Sequence, residues 1–264
     1  MSLDALFDKA RQSGYGYQAP KQERQMLQAA LAQERAYFAR LRRIAKHLQE
    51  IVNEFWDNTA ESTFLIKQLA KRYSDYITPW VVAVSKRMHD EVNARDLRSW
   101  ESYTHNMSSA IQREVKRTPV GDVMRQLLRE QVHLIKSIPI DAAERVHELT
   151  VRGIAQGLRE ADIREAVMRT GSVSESRAQL IARTEVARTR SVLTQARAQH
   201  IGSTHYVWRT VGDASVRPSH RRLNGQVFAW ADAPECDPPH HAHPGQIYNC
   251  RCRPVPIIPD MDMQ

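Results

Sequence analysis

The sequence predicts an α+β protein: a mainly helical N-terminal two-thirds, then a small α+β C-terminal module with a long arginine-rich helix and a short β-hairpin or sheet. Three observations carry this. Up to about residue 200, stretches rich in Ala, Leu, Gln, Glu and Arg place apolar residues at helical spacing. After Gly202 the texture changes, and Thr204–Val211 and Gln226–Trp230 are aromatic and β-branched, as strands are. Residues 231–256 are rich in Pro, His and Cys and hold too little apolar content to fold by burial alone, so strands, a metal or a partner must tie them down.

The elements follow in order. Residues 13–20, with two glycines and a proline, read as a loop after a short N-terminal helix. From Lys21 to about Glu54, Leu27, Leu31, Tyr37, Leu41, Ile44 and Leu48 recur roughly as on one helix face. A second helix runs from about Ala60 to Ser74, is interrupted at Pro79, and is followed by helices at 80–90 and 97–117. Thr118-Pro119 breaks the pattern before a helix over 120–136 with Val123, Leu127, Leu128, Val132 and Ile135 on its apolar side. Ser137-Ile-Pro139-Ile-Asp141 is a second breaker, with Asp141 as N-cap of a helix reaching about Gly157. A short helix at 160–169 and a turn at 170–172 precede a helix over 175–200 capped by Ser174. The resulting division is 1–136, a helical region suited to docking, and 137–264, the C-terminal module.

At 264 residues, 42% hydrophobic and 26% charged, the chain has an ordinary soluble composition. No run of about eighteen apolar residues marks a membrane span. The start, Met-Ser-Leu-Asp-Ala-Leu-Phe-Asp, lacks the basic and apolar regions of a signal peptide, so synthesis in the cytoplasm is expected. The formal charge of +8 is concentrated: from Arg177 to Arg222 nine arginines face Glu185 and Asp213, and no lysine occurs after Lys136. Arginine's planar fork suits bidentate contact with carboxylates or phosphates. The stretch is either a solvated basic face or a surface that meets DNA phosphates or an acidic partner, with Arg188, Arg190, Arg197, Arg221 and Arg222 as its contacts.

Three constellations bear chemistry. On the helix from Arg177 to Arg190, Glu185 shares a face with Ala178, Ile181, Val192 and Ala196. A core-side carboxylate needs a partner, for which Arg183, Arg188 and Arg217 qualify; the alternatives are a catalytic carboxylate or an exposed one. Around Asp213, Arg217 and His220, a turn–helix–hairpin unit is expected in which Asp213 and Arg217 pair, with Asn224-Gly225 as the tight turn; the sharper reading makes His220 a metal ligand or acid–base residue. In the last thirty residues, Cys236, Cys250 and Cys252 lie among His240, His241 and His243. An odd count in a cytoplasmic protein argues against a disulfide framework. A structural zinc held by Cys250, Cys252, His220 and either Cys236 or a histidine of 240–243 stands beside the plainer reading of small buried cysteines and a surface histidine run. His205 reads as structural.

Arg177-Ala-x-x-Ile181-Ala-Arg183-Thr184-Glu185, Trp208-x-Thr210-x-x-Asp213-x-x-x-Arg217-x-x-His220-x-x-x-x-Gly225, Pro244-Gly245 and Cys250-Arg-Cys252-x-Pro254 follow one another with characteristic gaps. In order, type and spacing they resemble the Mu F-like minor head, or phage head morphogenesis, family over about residues 172–256. The Glu-Cys-Asp-Pro-Pro-His-His-Ala-His insert at 235–243 departs from the family pattern. The resemblance implies a low-copy minor capsid protein of a tailed bacteriophage. Such a protein acts near the portal in head assembly and DNA packaging or delivery. Its implied partners are portal and capsid proteins and packaged double-stranded DNA, with no membrane partner. It implies residence in the virion, at the capsid interior or portal vertex, after synthesis in the host bacterial cytoplasm. It implies no catalytic residue. Arg183, Thr184, Glu185, Asp213, Arg217 and His220 then read as a buried polar framework. The competing reading is a small nuclease- or transferase-like module using Arg183, Glu185 and His220.

Overall fold

A computed structural model of the chain describes residues 20–105 and 107–258. The short N-terminal helix and nearly all of the 13–20 loop expected from sequence lie outside these residues. Among the described residues, seven helices precede the first strand: α1 Pro20–Phe55, α2 Ala60–Tyr76, α3 Thr78–Thr104, α4 Ser109–Arg117, α5 Gly121–Ala155, α6 Glu160–Met168 and α7 Thr170–His200. Then come β1 His205–Arg209, α8 Pro218–Leu223, β2 Val227–Ala229, β3 Glu235–Asp237, β4 His240–His241 and β5 Arg253–Ile257. The α+β class stands.

Two compact units are present, each built from separated segments. Among the described residues, one comprises 35–87 and 128–182; the other comprises 20–34, 88–105, 107–127 and 183–258. The first is all helical. Its core joins Leu48 and Val52 of α1, Trp56 just after it, Ile66 and Ala70 of α2, Ala142, Ala143 and Val146 of α5, and Ile163 and Val167 of α6. The second holds the sheet. There β1 is central and antiparallel to both neighbours, with Tyr206 opposite Phe228 and Pro256. Pro254 and Pro256 are accommodated because β5 is an edge strand. Side chains alternate across β1. Tyr206 and Trp208 enter a core with Trp100, Ile111, Val115, Ala198, Trp230 and the three cysteines, while Val207 packs with Val255 and Ile257.

Several local expectations are corrected. The breaker at Pro139 is absorbed: α5 runs through it to Ala155, and Asp141 is helix interior rather than an N-cap. Proline frees carbonyls in the preceding turn. The buried Ser74 hydroxyl donates to the Lys136 carbonyl, in the turn before Pro139, at 2.9 Å. The turn at 170–172 is also helical. A Cβ on Gly171 would lie 2.3 Å from Gln49 Oε1, so this glycine permits close helix approach, and Ser174 back-bonds to the Thr170 carbonyl at 2.9 Å. The separate helices expected at 80–90 and 97–117 are α3, continuous to Thr104, and α4. Residues 231–256, expected to be irregular, contain the β3–β4 hairpin and most of β5.

Candidate functional site

In the sheet-containing unit, α8 sits against β1 because its flanks are tied there. Pro218 sets the first turn, Gly225 N–H donates to the Trp208 carbonyl at 2.8 Å, and Asn224 Oδ1 accepts from Thr210 N–H at 3.0 Å. This buries His220, at 2% exposure, with its ring edge-on to Trp208 at 5.4 Å. The loop 244–252 is pinned to α7. Asn249, at φ +57°, gives its N–H to Thr184 Oγ1 at 2.9 Å and accepts from Arg183 at 2.7 Å on Oδ1. Gly245 has φ +86°, and a Cβ there would lie 2.9 Å from the Cys252 carbonyl, so glycine alone suits the position.

These two anchors bring Cys250 and Cys252 to His220. His220 Nδ1 lies 3.5 Å from each sulfur, and the three ligand atoms all lie within 4.8 Å of one another. Cys252 N–H points at Cys250 Sγ, 3.4 Å away. The two thiols titrate as a pair: hydrogen bonding from Cys252, helped by His220, favours a thiolate at Cys250, and that contact together with burial holds the proton on Cys252. Cys236 is buried in the same cluster, and burial, with Cys250 nearby, pushes its thiol up. The neighbouring histidines divide. His240 and His241 are exposed, whereas His243 is buried, takes part in a 2.9 Å hydrogen bond with the Tyr206 hydroxyl and has its pKa lowered by burial. His205 is half-buried at the start of β1.

The expected polar framework is assembled with different pairings. Asp213 and Arg217 do not pair with each other. Asp213 is exposed and accepts from Ser215 N–H and Oγ at 3.0 and 2.6 Å, while Arg217 lies 3.6 Å from Asp237, donates to the Tyr248 carbonyl and covers the Tyr248 ring. Asp237 comes from the 235–243 insert, which thus supplies Arg217's acid. Glu185 is buried at 2%, on a stripe with Ile181, Thr189, Leu193 and Arg197 at steps of four; Val192 and Ala196, expected on that face, are only half-buried. Arg183 turns instead to Glu34, 3.0 Å away, which also receives Arg251 at 3.2 Å.

Among the expected contact arginines, Arg197 is corrected. It is 3% exposed and pairs with the equally buried Asp96, which also accepts from Thr194 at 2.6 Å. Arg190 lines a cavity of about 300 Å³ with Arg183, Arg251 and Arg253, and burial pulls its pKa down. Neither Glu185 nor His220 lines that cavity. Arg188 is half-buried, while Arg221 and Arg222 of α8 are exposed. Glu34 and Asp96 were missed from sequence. The available signal was phase, since Glu34 precedes Tyr37, Leu41 and Ile44 on one stripe and Asp96 lies between Val92 and Trp100 at steps of four.

The family described as "Phage Mu protein F like protein" matches residues 144–255. An uncharacterized protein of Haemophilus influenzae is 31% identical over 140 residues, covering 53% of this chain and 30% of that protein. An uncharacterized protein of Methanocaldococcus jannaschii is 33% identical over 111 residues, covering 42% of this chain and 17% of that protein. The chain therefore spans less than a third of these relatives' length. No solved structure matches. Residues 144–255, which hold the cysteine–histidine cluster and the arginine-rich helix, are similar to the Mu F-like family.

Proposed function

We propose that the chain is a low-copy minor head protein of a tailed bacteriophage that acts near the portal in head assembly and in DNA packaging or delivery. The observation that carries this reading is the Mu F-like match across the C-terminal module. Among the described residues no helix is long and apolar enough to cross a membrane, so nothing there calls for a bilayer partner. Much of the arginine excess is spent internally, on Glu34, Asp96 and Asp237. The Arg221–Arg222 pair stays at the surface and suits sequence-independent contact with DNA phosphates.

Mobility shifts of the full chain on duplex DNA over a salt series test the DNA contact. Affinity should fall linearly on a log–log plot, and the Arg221→Ala/Arg222→Ala double variant should flatten the slope by about 1.8, at about 0.9 per lost phosphate contact. Salt-independent binding, or none, overturns that contact. Portal docking is tested by co-purification of the full chain with portal protein, because a cut at residue 136 would sever α5. The chain should also be found by mass spectrometry in purified particles.

The alternative enzyme module draws no support from the geometry: Arg183 faces Glu34 and Asn249, while His220 faces two sulfurs.

A further inference from the structure

We propose that His220, Cys250 and Cys252 bind a zinc ion, with the thiolate of Cys236 closing the coordination sphere. The donors come from three places: α8, the end of the 244–250 loop, and the residue just before β5. Hydrophobic packing does not by itself require an imidazole nitrogen to face two sulfurs. A tetrahedral zinc with bonds of about 2.3 Å to sulfur and about 2.05 Å to nitrogen sets sulfur–nitrogen separations of about 3.6 Å. Both Nδ1–Sγ separations are 3.5 Å. The backbone N–H aimed at Cys250 Sγ is a donor that a metal-bound thiolate can use.

Cys236 is the fourth donor on position and chemistry. It is fully buried and belongs to the same core cluster as Cys250 and Cys252. Its thiol donates a weak hydrogen bond to the His240 carbonyl, at 3.7 Å, and the Ala242 N–H points at its sulfur, a donor that a metal-bound thiolate can keep. The other nearby imidazole, His243, is engaged by Tyr206. Three thiolates and a neutral imidazole favour zinc over the harder divalent ions, which prefer oxygen. Binding draws protons off the thiols, which leave to solvent. The ion would cross-link α8, the β3–β4 hairpin and the CRC loop, in the segment with too little apolar content to hold itself.

The test uses the full chain, produced with zinc in the medium and analysed by elemental mass spectrometry. One zinc per chain is expected, with a lower Tm after chelation; both are read on the wild type and need no variant to fold. Cobalt substitution then counts sulfurs. Cys236→Ser should keep a tetrahedral spectrum but lose about a third of the thiolate-to-cobalt charge-transfer intensity, and Cys250→Ser or Cys252→Ser should retain less than a tenth of the metal. Metal-free protein after reconstitution, or full zinc in Cys250→Ser, overturns the site. Unchanged intensity in Cys236→Ser overturns the fourth ligand.

Discussion

The two compact units bury polar groups in opposite ways. Among the described residues, the helical unit of 35–87 and 128–182 fully buries hydroxyls and one amide: Ser62, Thr63, Ser74, Ser85, Gln131, Thr150, Thr170 and Ser174. Most of these bond to helix carbonyls, as Thr63 does to Ala60, Thr150 to Val146 and Ser174 to Thr170. Among the described residues, the other unit holds the buried acids, arginine and histidines: Glu34, His89, Asp96, Glu185, Arg197, His220 and His243, with the cysteines beside them. Its ties span the chain, with 101 residues between Arg197 and Asp96 and 217 between Arg251 and Glu34. Both units have an apolar core, but the second adds charge pairs that fail if one partner is lost.

The largest effect should come from Asp96→Ala, which strands Arg197 in the interior and should cost about 3–5 kcal/mol in denaturant unfolding. The double change Asp96→Leu/Arg197→Met should recover most of that; if it is as damaging as the single change, the charge pair is not what carries the site. Leu48→Ala, in the core of the helical unit, should cost about 3 kcal/mol through a cavity. A much larger loss than for Asp96→Ala would reverse the contrast between the units.

Gln131 sharpens the comparison from the other side. It is fully buried in α5 with neither amide atom hydrogen-bonded. Gln131→Leu should raise stability by about 1–2 kcal/mol, and destabilisation would show that the amide serves the fold. The smallest effect is one of pH. Burial depresses the His243 pKa, so its contribution is fully present above the unfolded value of about 6.5 and is lost as pH falls through the lower folded value. Unfolding curves of His243→Gln against the parent below pH 6.5 should show a shallower pH slope in the variant; equal slopes would remove His243 from the account.

Legibility follows the same division. Tyr37, Leu41, Ile44 and Leu48 were readable as one face because helical phase is local, and all four are buried. Pro139 misled because the helix continues through it, with Ser74, 62 residues from Lys136, bonding to the carbonyl of that preceding turn. At the site, His220, Cys250 and Cys252 could be named from residue chemistry, but their convergence within 4.8 Å could not. Arg197 looked like a surface cation because its acid is distant in sequence.

By itself the sequence determined the class of fold, the helical and strand regions, the kinship of the C-terminal module and the residue types able to bind metal or phosphate. These follow from local periodicity, turn chemistry and side-chain functional groups. Only the tertiary structure decided which arginines stay at the surface, which acids they meet, and that two cysteines share one histidine. Such pairings depend on how segments separated by 30 residues, as for His220 and Cys250, or by 217, as for Glu34 and Arg251, fold back on one another, and no local pattern encodes that.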